Sequence, residues 1–145
     1  MAAERIRRGI VKATTRLDLP PEGSGDFIEI WTDLTEGQRS DIVDKSVRTI
    51  AVLDNGEQKT ALDYSKYKFV TAATYIHAWN LLGPDGAALV WPSNVSLDKR
   101  IQILRELDRD TVEAINDAIG RHEEARAKNA QPGETSGAPS LPSAD

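Results

Sequence analysis

The sequence contains no cysteine. That excludes a disulfide framework, a thiolate metal site and a cysteine nucleophile. Histidine is nearly as scarce: His77 and His122 are the only two, and they do not stand four apart as paired zinc ligands on a helix do. His77 lies between Ile76 and Trp79 and reads as a core or boundary residue. His122 lies among Arg121, Glu123 and Glu124 and reads as part of a solvated helix end. No apolar run reaches the length of about 18 residues that a membrane span needs. The first residues lack the apolar stretch of a signal peptide, because Arg5, Arg7 and Arg8 interrupt it. No nucleophile-elbow motif, phosphate-cradling glycine loop or dinucleotide fingerprint is present. No catalytic, cofactor-binding or metal-ligating residue is assigned, and no enzyme activity is expected. Aromatic residues make up 6% of the chain, so the core is expected to be aliphatic and modest.

What is present is ordinary for one soluble globular domain: 145 residues, 39% apolar and 28% charged. The net charge of −5 is unevenly placed. Residues 1–16 carry Arg5, Arg7, Arg8, Lys12 and Arg16 against Glu4, a balance of +4 that leaves −9 for the rest. Without interleaved aromatics this basic start reads as a solvated end, and the acidic body repels phosphates, so nucleic acid is not an expected partner. Asp108, Asp110, Glu113 and Asp117 form an acidic cluster, but the glycine-centred spacing of a calcium loop is missing and favourable placement at a helix start explains them.

The pattern predicts an α+β fold. Residues 9–18 and 26–32 alternate between apolar and polar and are separated by the loop PPEGSG, so they predict an antiparallel strand pair. Thr35 and Gln38 have capping-box spacing. A helix is expected from about 36 to 52, with Ile42, Val43, Val47, Ile50 and Ala51 on one face, followed by a polar loop over 54–62. Residues 64–78 are long enough for a helix, although Val70, Thr71, Thr74, Tyr75 and Ile76 favour a strand. Pro84 and Gly86 predict a tight turn near 81–91, flanked by Trp79, Leu81 and Leu82 on one side and Leu89, Val90 and Trp91 on the other. Ser96 caps a helix to about Glu106, on which Leu97, Ile101 and Leu104 share a face. Asp110 and Glu113 predict the cap of a fourth helix, running to about Arg126 with Val112, Ile115, Ala118 and Ile119 facing inward. The expected organisation is a flexible basic start over 1–8, one domain over 9–128, and a disordered tail over 129–145.

The order of these pieces resembles the tail assembly chaperones of long-tailed bacteriophages, particularly those of actinobacterial hosts. The residues that carry the resemblance are Trp79, Asn80, Leu81, Asp85, Gly86, Leu89, Leu97, Leu104, Leu107, Asp108, Thr111, Ile115 and Ile119. The segment GDFIEIWTDLTEGQR at 25–39 adds to it, and together they cover roughly residues 25–120. The resemblance implies a non-enzymatic protein without cofactors. It would bind the apolar helical segments of the tape-measure protein, assist assembly of the tail tube from the major tail protein, act in the host cytoplasm and be absent from the finished virion. Self-association, or pairing with a longer frameshifted form, is part of the same expectation. The alternative is a small virion component such as a head–tail connector or minor tail protein. Three tryptophans either pack the core or anchor a partner. Under the second reading the partner surface comprises Trp91, Leu97 and Ile101.

Overall fold

A computed structural model describes residues 4–92 and 94–129. The chain runs β1 (Thr14–Asp18), β2 (Phe27–Trp31), α1 (Glu36–Lys45), β3 (Val47–Val52), β4 (Gln58–Leu62), α2 (Tyr64–Tyr75), β5 (Ile76–Trp79), α3 (Leu97–Arg105) and α4 (Arg109–Asn129). Among the described residues it is an α+β fold with four helices and antiparallel strands in two small sheets. The expected tail beyond Asn129 lies outside the described residues. Among the described residues no helix is long and apolar enough to cross a membrane.

The larger sheet has the order β1–β2–β5, with both pairings antiparallel. The predicted strand pair is present, with Leu17 opposite Ile28, but β1 is shorter than the alternation suggested. Residues 4–13 lie off the sheet and are exposed, Val11 among them at 80%. The ladder ends where the Thr32 N–H, just past β2, donates to the Ala13 carbonyl at 2.8 Å.

Thr35 and Gln38 form the predicted capping box, and α1 starts there. The helix then stops at Lys45 rather than near residue 52. Ser46 turns back on it, its hydroxyl donating to the Ile42 carbonyl. The segment VRTIAV is rich in β-branched residues, and Asn55-Gly56 supplies a tight turn with Gly56 at φ 89°. Residues 47–62 are therefore a β-hairpin and not helix plus loop. The apolar residues assigned to one helical face do not share a fate: Ile42 is buried, whereas Val43 and Ile50 are about half exposed.

Residues 64–79 satisfy both competing signals in succession. Asp63 caps α2 by accepting from the Ser65 and Lys66 N–H groups, and the chain passes from Tyr75 straight into β5. Six consecutive residues, Val70–Tyr75, are buried because α2 is packed against α1, α3 and α4. One of its terminal carbonyls, on Ala73, accepts from the Arg100 guanidinium of α3 at 3.1 Å. Ser96 caps α3 as predicted. The cap of α4 is Asp108 rather than Asp110. Its carboxylate accepts from the Thr111 N–H at 3.0 Å and the Thr111 hydroxyl at 2.6 Å, which starts the helix two residues earlier. Val112, Ile115, Ala118 and Ile119 are buried as their spacing predicts. The core draws Ile28 and Ile30 from the sheet, Tyr75 from α2, Leu104 from α3 and Ile115, Ala118 and Ile119 from α4 into one cluster.

Candidate functional site

The turn at residues 81–91 is built as one rigid wall. The Gly86 N–H donates to the Gly83 carbonyl at 2.9 Å across Pro84 and Asp85, and Gly86 takes φ 82°, where a side chain would be strained. Leu82 bridges Ala88, and the Leu89 N–H donates to the Leu81 carbonyl at 2.9 Å. Two tryptophans bind this wall to the sheet. Trp79 Nε1 donates to the Leu89 carbonyl at 2.7 Å, and Trp91 Nε1 donates to the Ile76 carbonyl at 3.0 Å. Their rings lie 4.7 Å apart between centroids, so both indoles are paired with backbone and with each other.

The outer face of this wall borders a cleft of about 1100 Å³. Leu82, Pro84 and Leu89 line one side. Ile103, Leu107 and Ala114, at the corner between α3 and α4, line the other, and Leu19 with Pro20 closes the end. Asp26, Glu106, Asp108 and Asp110 also line it, and among the described lining residues there is no lysine or arginine. The Thr111 hydroxyl and N–H hold the Asp108 carboxyl below the usual range, so its negative charge is secure near neutrality. The arrangement is an apolar trough with acidic margins. It is suited to an apolar segment that carries cations at its edges.

None of the residues nominated as a partner surface lines this cleft. Trp91 is a core side chain. Leu97 and Ile101 are half-buried and pack against the core from α3. Ile101 borders a second, smaller depression of about 250 Å³ together with Phe69 and Val70, edged by Lys45, Lys66 and Arg105. Sequence reasoning missed Ile103 and Leu107 as a pair. They stand four apart on α3 and its exit, off the stripe of Leu97, Ile101 and Leu104, and that offset was the available signal.

Both histidines pack against aromatic rings. His77 is half-buried with its ring 4.5 Å from that of Trp31. His122 is not on a solvated end: its Nε2 lies 2.9 Å from the Thr32 carbonyl, and its ring meets Tyr75 edge-on. Among the described residues no three metal-ligating side chains converge.

Tyr75 donates its hydroxyl to Glu123 at 2.9 Å beside Arg39. Burial, reinforced by the hydrogen bond to Glu123 and its negative charge, raises the phenol well above its ordinary value. The unfolded chain therefore loses this proton first as pH rises. Stability attributable to Tyr75 is complete below about pH 10 and declines above it. Urea titrations at rising alkaline pH are expected to show that decline, and Tyr75→Phe is expected to make it shallower. An unchanged slope would mean that the phenol ionises freely in the fold.

No family model matches the chain, and neither a curated protein nor a solved structure matches it.

Proposed function

We propose that the chain is a tail assembly chaperone of a long-tailed bacteriophage, and that its cleft receives apolar helical segments of the tape-measure protein. The order of pieces over residues 25–120 supports the family. The apolar, acid-margined cleft supports the mode of action. An amphipathic helix lays a row of aliphatic side chains into such a trough, and cations flanking that row meet Asp26, Glu106, Asp108 and Asp110. The work required is binding and shielding, for which the protein needs no reaction chemistry. Many copies along one long client then act through avidity.

The test is binding of helical fragments of the cognate tape-measure protein. Leu107→Asp is expected to weaken binding by about 1–3 kcal/mol, the scale of losing one buried aliphatic contact. Val43→Asp, on the half-exposed face of α1, serves as control and should bind as the wild type does. Circular dichroism checks that both remain folded. Equal binding by folded Leu107→Asp would remove the cleft from the proposal. No binding by the wild-type chain would remove the chaperone reading. Mass spectrometry of purified particles separates the alternative, because a connector or minor tail protein is present there and a chaperone is not.

A further inference from the structure

The cleft has a complement within the same sequence. Residues 4–13 are exposed and form no helix or strand. They carry Arg5, Arg7, Arg8 and Lys12 against the single Glu4, and the apolar Ile6, Ile10 and Val11 are all exposed. None of these four cations has a carboxylate within salt-bridge distance among the described residues, and neither has any of Asp26, Glu106, Asp108 and Asp110 a cation partner. An extended arm with interspersed apolar and basic residues therefore stands free, and so does an apolar trough lined with carboxylates. Such a pair is complementary in both charge and hydrophobicity.

The two lie at opposite ends of the molecule. The arm leaves at Ala13 and Thr14, beside Thr32, where His122 of α4 is bonded. The cleft lies at the other end of β1, where Leu19 and Pro20 line it, and near the start of α4, where Asp110 and Ala114 line it. Five residues of strand separate Thr14 from Leu19, about 17 Å. Along α4, eleven residues separate Thr111 from His122, about 16 Å. The arm thus leaves the fold at the end of β1 away from its own trough.

We infer that the basic arm of one copy docks in the acid-margined cleft of a second copy of this chain. Because donor and acceptor sit at opposite ends, the contact is head-to-tail. Each copy added leaves one free arm and one free cleft, so the assembly propagates until it closes as a ring or continues as a filament. The inference does not depend on the tape-measure reading, since both partners are this chain. If both readings hold, a client segment and a neighbour's arm compete for one trough.

Sedimentation velocity of the full chain tests it. Association is expected to grow with concentration and to weaken at least roughly 10-fold when salt rises from about 50 to about 500 mM. An arm variant, Arg5→Glu with Arg7→Glu and Arg8→Glu, should be monomeric. A cleft variant, Glu106→Gln with Asp110→Asn, which removes the acidic charge without creating a site for an acidic arm, should also be monomeric. An equimolar mixture of the two should form a terminated 1:1 pair, because one supplies an intact cleft and the other an intact arm. The inference is overturned if the wild-type chain stays monomeric, if the arm variant assembles as the wild type does, or if the mixture fails to pair. Should the cleft variant not fold, a synthetic peptide of residues 4–13 decides. Titrated into the arm variant, it should give a saturable change in tryptophan fluorescence through Trp79, which is bonded to the cleft residue Leu89. No change, or one that persists undiminished at about 500 mM salt, overturns the inference.

Discussion

Replacing Trp91 by alanine is expected to destabilise the protein by about 3–5 kcal/mol, the usual range for deleting a buried aromatic side chain. Three losses combine. The indole is only 9% exposed, so its removal leaves a cavity among Ile76, Trp79 and their neighbours. The Ile76 carbonyl loses the donor at 3.0 Å, at the point where α2 gives way to β5. The turn wall loses one of the two tryptophans that hold it against the sheet. Trp91→Phe keeps most of the volume but not the donor, and should cost about 1–3 kcal/mol, the scale of leaving a buried acceptor unpaired. Urea denaturation read by circular dichroism measures both. An alanine variant within about 0.5 kcal/mol of wild type would mean that Trp91 is a surface side chain, as a partner anchor would be.

Ile115→Ala is expected to cost about 2–5 kcal/mol. Ile115 is 0% exposed and sits where α4 meets the cluster of Ile28, Ile30 and Leu104. Ile50→Ala should differ from wild type by only about 0.5 kcal/mol, because the side chain is about half exposed on the β3–β4 hairpin. The pair separates the observed fold from a helix over 36–52, in which Ile50 would face the core. A large loss at Ile50, comparable with that at Ile115, would restore the helix.

Local chemistry made much of this fold legible. Thr35 with Gln38, Ser96, and Pro84 with Gly86 each act over three or four residues, so they can be read without knowing the rest of the chain. The α4 stripe of Val112, Ile115, Ala118 and Ile119 is equally plain, because one face of a long helix meets one core. Periodicity and burial part company over residues 42–51. Ile42, Val43, Val47, Ile50 and Ala51 fit a helical stripe, yet only Ile42 and Val43 lie on α1, while Val47, Ile50 and Ala51 lie on a hairpin closed by Asn55-Gly56. Between α2 and β5 no glycine or proline marks the change, so one continuous segment carried two valid signals. Asp108 and Asp110 both had the composition of a cap, and the choice fell to the residue with Thr111 three positions on.

The cleft was the least legible feature. Leu19, Leu82 and Leu107 are far apart in sequence, and each is unremarkable alone. Only the sheet order β1–β2–β5 and the corner between α3 and α4 bring them to one trough. Apolar spacing along α3 pointed instead to Leu97 and Ile101, which do not line the cleft. Acidity was visible as a total but not as a location, since Asp26 joins Glu106, Asp108 and Asp110 only through the loop after β1.

Use of the cleft by a client is tested most directly by site-specific photo-crosslinking. A photoactivatable residue is placed at Leu82, which is 61% exposed on the cleft wall, and separately at Val43, which is 52% exposed on α1. Each protein is irradiated with a helical fragment of the cognate tape-measure protein. Crosslinking from position 82 and none from position 43 is the predicted result. Crosslinking from 43 with none from 82, or from neither while the fragment remains bound, would contradict it.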